Sequence, residues 1–151
     1  MLFDTHAHYD DDQFDGDRET LLASLPEQGV GLVVNPGCTV ASSRTAVELA
    51  RRFPHVYAAV GIHPENCGDF RPEHLTEIRA LAQEDKVVAI GEIGLDYYWP
   101  ENPPRPLQQQ VLRSQLALAR ELSLPVIIHD RDAHADTMAI VREFPGLRGV
   151  F

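Results

Sequence analysis

The sequence predicts an α/β protein built on a parallel sheet, and three observations carry that prediction. Short runs such as Leu32-Val33-Val34, Val56 to Ile62, Val87 to Ile93 and Val126-Ile127-Ile128 are β-branched and apolar almost throughout, as strands buried on both faces must be. A polar-apolar stretch long enough for a helix separates each run from the next. Polar residues able to do chemistry recur at one place, directly after each run. Strand-helix alternation leaves two architectures, an open doubly wound sheet and a (β/α)8 barrel. In both, ligands gather where the strands end.

Taken in order, the first strand is Met1 to Thr5. A helix follows from Asp17 to Gln28, with Asp17 as a capping residue. Leu32 to Asn35 is the second strand, and Ser42 to Phe53 the second helix, stopped before Pro54. Val56 to Ile62 is the third strand, and Pro72 to Gln83 the third helix, with proline in its first turn. Val87 to Ile93 is the fourth strand. A proline-rich loop, Trp99 to Pro104, leads to a long helix from Pro106 to Leu122. Its apolar residues Val111, Leu112, Leu116, Leu118, Ala119 and Leu122 gather on one helical side. Pro125 to Ile128 is the fifth strand, Ala133 to Phe144 the fifth helix, and Gly149 to Phe151 the start of a sixth strand. The whole reads as one domain, 1–151, of five βα units and a stub.

Composition narrows the function. With 44% hydrophobic and 24% charged residues the chain has the make-up of a soluble globular protein. No apolar run nears the roughly 20 residues of a membrane span. No basic segment followed by an apolar core opens the chain, and Cys38 and Cys67 form neither a metal pair nor a disulfide framework. The expectation is a cytoplasmic protein without a membrane partner. A net charge of −10 argues against a protein that coats nucleic acid with a basic surface. It does not exclude an enzyme of phosphodiesters, because bound divalent cations reverse the local sign.

The strand ends supply the chemistry. "DTHAHYD" places His6 and His8 two residues apart, so that on a strand they share a face. Chance alone supplies about 0.3 His-x-His pairs in such a chain, so the motif needs partners. His63 follows the third strand in "GIHP", Glu92 and Asp96 lie in "AIGEIGLD", and His129 and Arg131 in "VIIHDRD". A carboxylate among apolar residues is costly unless paired or metal-bound, and several such residues at one relative position are a pattern. Imidazole and carboxylate suit Zn²⁺, Mn²⁺, Fe²⁺ or Mg²⁺. A glutamate between two sets of histidines can bridge two ions, a pair that activates water at a phosphodiester. Tyr97, Tyr98 and Trp99 either stack on bases or pack the long loop.

Together "FDTHAHYD", "VGIHP", "AIGEIGLDYY" and "LPVIIHDRDA", with Arg105, Gln108 and "SQLALARELSLPV", come in the order and spacing of the TatD family of metal-dependent hydrolases, which the chain resembles throughout its length. The resemblance implies a TIM (β/α)8 barrel of the metal-dependent hydrolase type, and a deoxyribonuclease or 3′-exonuclease acting on DNA, sometimes RNA, with two divalent ions (Mg, Mn or Zn). It implies His6 and His8 as ligands of one metal, Glu92 as the bridging ligand, His129 as a ligand of the second, and His63 facing the scissile phosphate. Asp96 then orients a ligand, and Arg131 and Tyr97 are candidates for substrate contact. Where the family often has a second histidine after "GIHP", this chain has Glu65. The family's later His-Cys-Phe-Ser-Gly and Glu-Thr-Asp motifs, each with a further ligand, lie beyond Phe151. A whole barrel takes roughly 250 residues, so the expectation is the N-terminal part of one, weakly active or inactive alone. Two alternatives stay open: an amide or ester hydrolase with the same metal chemistry, and a non-catalytic half-barrel that dimerises. Oligomeric state is not legible.

Overall fold

The computed structural model describes residues 1–151. Six strands, β1 (Leu2–Asp4), β2 (Val30–Pro36), β3 (Val56–Val60), β4 (Val87–Asp96), β5 (Val126–Arg131) and β6 (Gly149–Val150), form one sheet in chain order, and every pair is parallel. Five helices connect them: α1 (Arg18–Ser24), α2 (Val40–Arg52), α3 (Pro72–Leu81), α4 (Arg105–Leu122) and α5 (His134–Val141). A doubly wound sheet reverses its strand order at a switch point. Here the order never reverses, so the sheet curls as half of a (β/α) barrel.

The larger core joins 27 buried residues between sheet and helices. The predicted stripe of α4 supplies Val111, Leu112, Leu116, Leu118 and Ala119, all buried. A second, small cluster of Val34, Ala59, Ala89 and Ile127 lies on the other face of the strands. There it borders an open hollow of about 370 Å³, the concave side of the half-barrel. No helix is long and apolar enough to cross a membrane.

Boundaries differ from the sequence expectation in ways that matter. The first helix spans only Arg18–Ser24 rather than reaching Gln28, because Pro26 has no N–H to donate into the helical ladder. Asp17 sits at its N-cap, but the carboxylate makes no capping bond. The fifth helix ends at Val141, and its last turn tightens, with Glu143 and Phe144 N–H donating to Ile140 and Val141 O before Pro145. β4 runs on to Asp96 and β5 to Arg131, since the ladder continues through Gly94↔His129 and Asp96↔Arg131. Asp96 and His129 therefore lie within strands rather than after them. β1, by contrast, ends at Asp4, so His6 and His8 stand beyond the strand expected to carry them.

Candidate metal centre

Four of the seven histidines converge on one buried carboxylate. Glu92 Oε2 lies 3.0 Å from His6 Nε2 and 3.2 Å from His8 Nε2. The other oxygen, Oε1, lies 3.0 Å from His129 Nδ1 and 3.8 Å from His63 Nε2. Glu92 is 5% exposed, and its only ion-pair partners are these imidazoles, with no Arg or Lys among them. A buried carboxylate ringed by imidazoles is a donor set that suits a divalent cation. Its atoms fall into two groups able to hold an ion, His6-His8-Glu92 and His63-Glu92-His129, which share Glu92.

The residues outside β1 reach the site through named bonds. Ala7 N–H donates to Val34 O at 3.2 Å, so the segment after β1 continues along the edge of β2. Tyr9 N–H then donates to Asn35 Oδ1 at 2.6 Å, while Asn35 Nδ2 donates to Asp10 Oδ1 at 2.8 Å. Asn35 is fully buried, and its amide fixes both ends of this hold. The turn after β2 anchors two more residues: Glu92 N–H donates to Gly37 O and His63 N–H to Cys38 O, both at 2.9 Å.

Two buried glutamines of α4 clamp the strand ends from behind. Gln115 accepts from Ile62 N–H at 2.8 Å and donates to Ile62 O at 3.0 Å, next to His63. Gln108 does the same for Asp96, at 2.9 and 3.0 Å. The fully buried Asp96 in turn bonds His129 Nε2 through Oδ2 at 2.8 Å and accepts Tyr98 N–H through Oδ1 at 3.0 Å. At Gly94 a Cβ would lie 1.9 Å from His129 O, and φ is +156°, so only glycine allows β4 to approach β5 here.

The electrostatics follow from this packing. Burial pushes the Glu92 carboxyl up, but hydrogen bonds from His129, His6 and His8 outweigh it and hold the group well below the usual carboxylate range. The bond to Glu92 raises His8 above 6.5. Burial lowers His129, but its bonds to Glu92 and Asp96 prevail and raise it. His63 differs: burial, with His129 beside it, lowers it to about 4. Glu65 N–H approaches His63 Nδ1 at 3.3 Å, which leaves the ring proton on Nε2, the atom facing Glu92.

A cavity of about 560 Å³ opens over the cluster and is lined by His6, His8, His63, Glu92, His129 and Arg131. Asp10, Asp11, Cys38 and Glu65 also line it. Tyr97 does not: its hydroxyl donates to Asp136 at 2.8 Å, and its ring lies under Arg105. Sequence reasoning missed the roles of Asn35 and Gln115. Asn35 left a signal, a lone amide closing an apolar run. Gln115 left none, being a polar residue on a helix rich in them.

Comparison with known proteins agrees with this architecture. The model of the TatD-related DNase family matches residues 3–151. An uncharacterized metal-dependent hydrolase, YabD, of Bacillus subtilis is 42% identical over 95% of this chain and 56% of its own length. The 3′-5′ ssDNA/RNA exonuclease TatD of Cronobacter sakazakii is 37% identical over 93% of this chain and 53% of its own. Among solved structures, the TatD homolog YjjV of Escherichia coli superposes with a TM-score of 0.87 at 33% identity, covering 95% of this chain and 56% of that one. The chain thus spans about half the length of the relatives it matches.

Proposed function

This chain belongs to the TatD-related DNase family of metal-dependent hydrolases, and from its site we propose that it contributes the binuclear metal site of a nuclease cleaving phosphodiester bonds in DNA or RNA. The observation that carries the reading is Glu92, one carboxylate facing two imidazole groups through separate oxygens. His6 and His8 would hold one ion, His129 the other, and Glu92 both; Mg²⁺, Mn²⁺ or Zn²⁺ suits these donors. Such ions, when bound, supply Lewis acidity to a phosphoryl oxygen and make water a stronger nucleophile near neutral pH.

The protein's own residues divide the remaining work. His63, neutral with its proton on Nε2, is a hydrogen-bond donor aimed into the cavity, suited to a non-bridging phosphate oxygen. Its lowered pKa keeps it neutral at working pH, so it does not repel a cation beside it. Asp96 holds the His129 ring in one orientation and tautomer. Arg131, the one Arg or Lys on the cavity wall, offsets the carboxylates there and suits a phosphate of the same strand.

The test is metal-dependent degradation of an end-labelled single-stranded oligonucleotide by the native protein and by Glu92→Gln, with simple esters and amides alongside. The expected result is loss of nucleolysis on the order of 100-fold or more, as for lost metal ligation. Unchanged nucleolysis in Glu92→Gln, or faster turnover of amides than of the oligonucleotide, would sink the proposal.

A further inference from the structure

Of the three successive aromatic residues after Asp96, one is used up by packing and two are not. Tyr97 is tied to Asp136 and Gln109 through its hydroxyl. Tyr98 and Trp99 are 54% and 43% exposed, and they stand edge to face with ring centroids 4.6 Å apart. Leaving a tyrosine and a tryptophan in water forgoes apolar burial that a loop this well anchored could have supplied.

The pair is also held still and held close to the cavity. Tyr98 N–H donates to Asp96 Oδ1 while Asp96 Oδ2 bonds His129. Asn102 and Gln108 both donate to Asp96 O, which fixes the loop's root. On the cavity side, the guanidinium of Arg131 lies 5.5 Å from the Tyr98 ring centroid, and Arg131 lines the cavity over Glu92 and His129. One residue thus touches both the aromatic pair and the catalytic cavity.

From this juxtaposition we propose that Tyr98 and Trp99 form a stacking platform for an unpaired nucleobase, next to the nucleotide whose phosphate enters the cavity, with Arg131 spanning base and phosphate. The proposal rests on the phosphodiester reading above and assigns Tyr98 and Trp99 to the base of an unpaired nucleotide. A base in a duplex has both faces covered and cannot stack there. Stacking is indifferent to base identity, so the platform favours single strands without favouring a sequence. Because the loop is already anchored, little conformational entropy is lost when a base docks.

Trp99 is the only tryptophan, so its fluorescence reports the event directly. The protein, with Mg²⁺ present, is titrated with a phosphorothioate-linked thymidine oligonucleotide, then with an equally long strand of abasic units. Fluorescence quenched by the first strand and not by the second is the expected result. Tyr98→Ala should raise Kd for the base-bearing strand about tenfold, leave metal affinity unchanged, and be rescued by Tyr98→Phe. Equal quenching by both strands, or by neither, overturns the platform. Hydrolysis of an ordinary oligonucleotide is scored separately. Hydrolysis without base-dependent quenching defeats the platform alone, whereas base-dependent quenching together with hydrolysis that Glu92→Gln leaves unchanged supports the platform and defeats the nuclease reading.

Discussion

Asp96→Asn tests how the site is oriented, because it changes one oxygen to nitrogen and little else. The carboxylate now serves two partners, His129 Nε2 at 2.8 Å and Tyr98 N–H at 3.0 Å. An asparagine has one oxygen and must choose. If the oxygen stays on Tyr98, the amide NH₂ faces His129 Nε2 and drives the ring proton to Nδ1, the atom 3.0 Å from Glu92 Oε1. His129 then cannot ligate through that nitrogen. If the oxygen turns to His129, the NH₂ meets the Tyr98 N–H, and a backbone donor loses its acceptor at about 1–3 kcal/mol. His129 also loses a carboxylate that makes it a better donor. Either way, metal affinity should fall by about 10- to 100-fold, or roughly 1.4–2.7 kcal/mol. Competition with a chromophoric chelator measures the affinity, and a thermal melt of the metal-free protein detects the alternative cost. Affinity within twofold of the parent, with an unmoved melt, would refute the orienting role.

Other perturbations reach the same cluster by different routes. Gly94→Ala forces a methyl within 1.9 Å of His129 O, so β4 and β5 must separate; amide exchange in residues 92–96 should rise, and metal binding should be lost together with it. Asn35→Ala removes the acceptor of Tyr9 N–H and a donor to Asp10, which should lower stability by about 1–3 kcal/mol in chemical denaturation and weaken metal binding through His6 and His8. In the metal-free protein, pH acts on both signs of the cluster. Glu92, depressed below 4.5, contributes stability above that pH and loses it as pH falls through its folded value; His8 and His129, raised above 6.5, contribute below 6.5 and lose it as pH rises through theirs. His63, lowered to about 4, acts the other way: it stays neutral when folded and costs stability as pH falls from 6.5 toward 4. Melting temperature with chelator present should therefore be highest at about pH 6.5. A melting temperature that climbs steadily past pH 8 would contradict this.

Much of the molecule was legible in the chain itself. Runs such as Val87 to Ile93 are apolar almost throughout, and every residue of that run but Val88 is buried, so they announced buried parallel strands without any structure. Charges and imidazoles that close such runs are costly there, which is why His63, Glu92, Asp96 and His129 stood out, and why the structure brings them together. The choice between an open sheet and a curled one was not local. It depends on which strands are neighbours, and only the unbroken order β1 to β6 decided it. Nor could alternation explain the His6-His8 pair, since β1 stops at Asp4 and the buried amide of Asn35, far away in sequence, holds the segment that follows. The sequence by itself determined what kinds of atoms the site contains, because burial penalises each polar residue one at a time. The tertiary structure alone decided that one carboxylate faces two imidazole groups and that Tyr98 and Trp99 stay exposed while Tyr97 does not. Those facts depend on distances between residues many positions apart, which the chain acquires only when its strands pair.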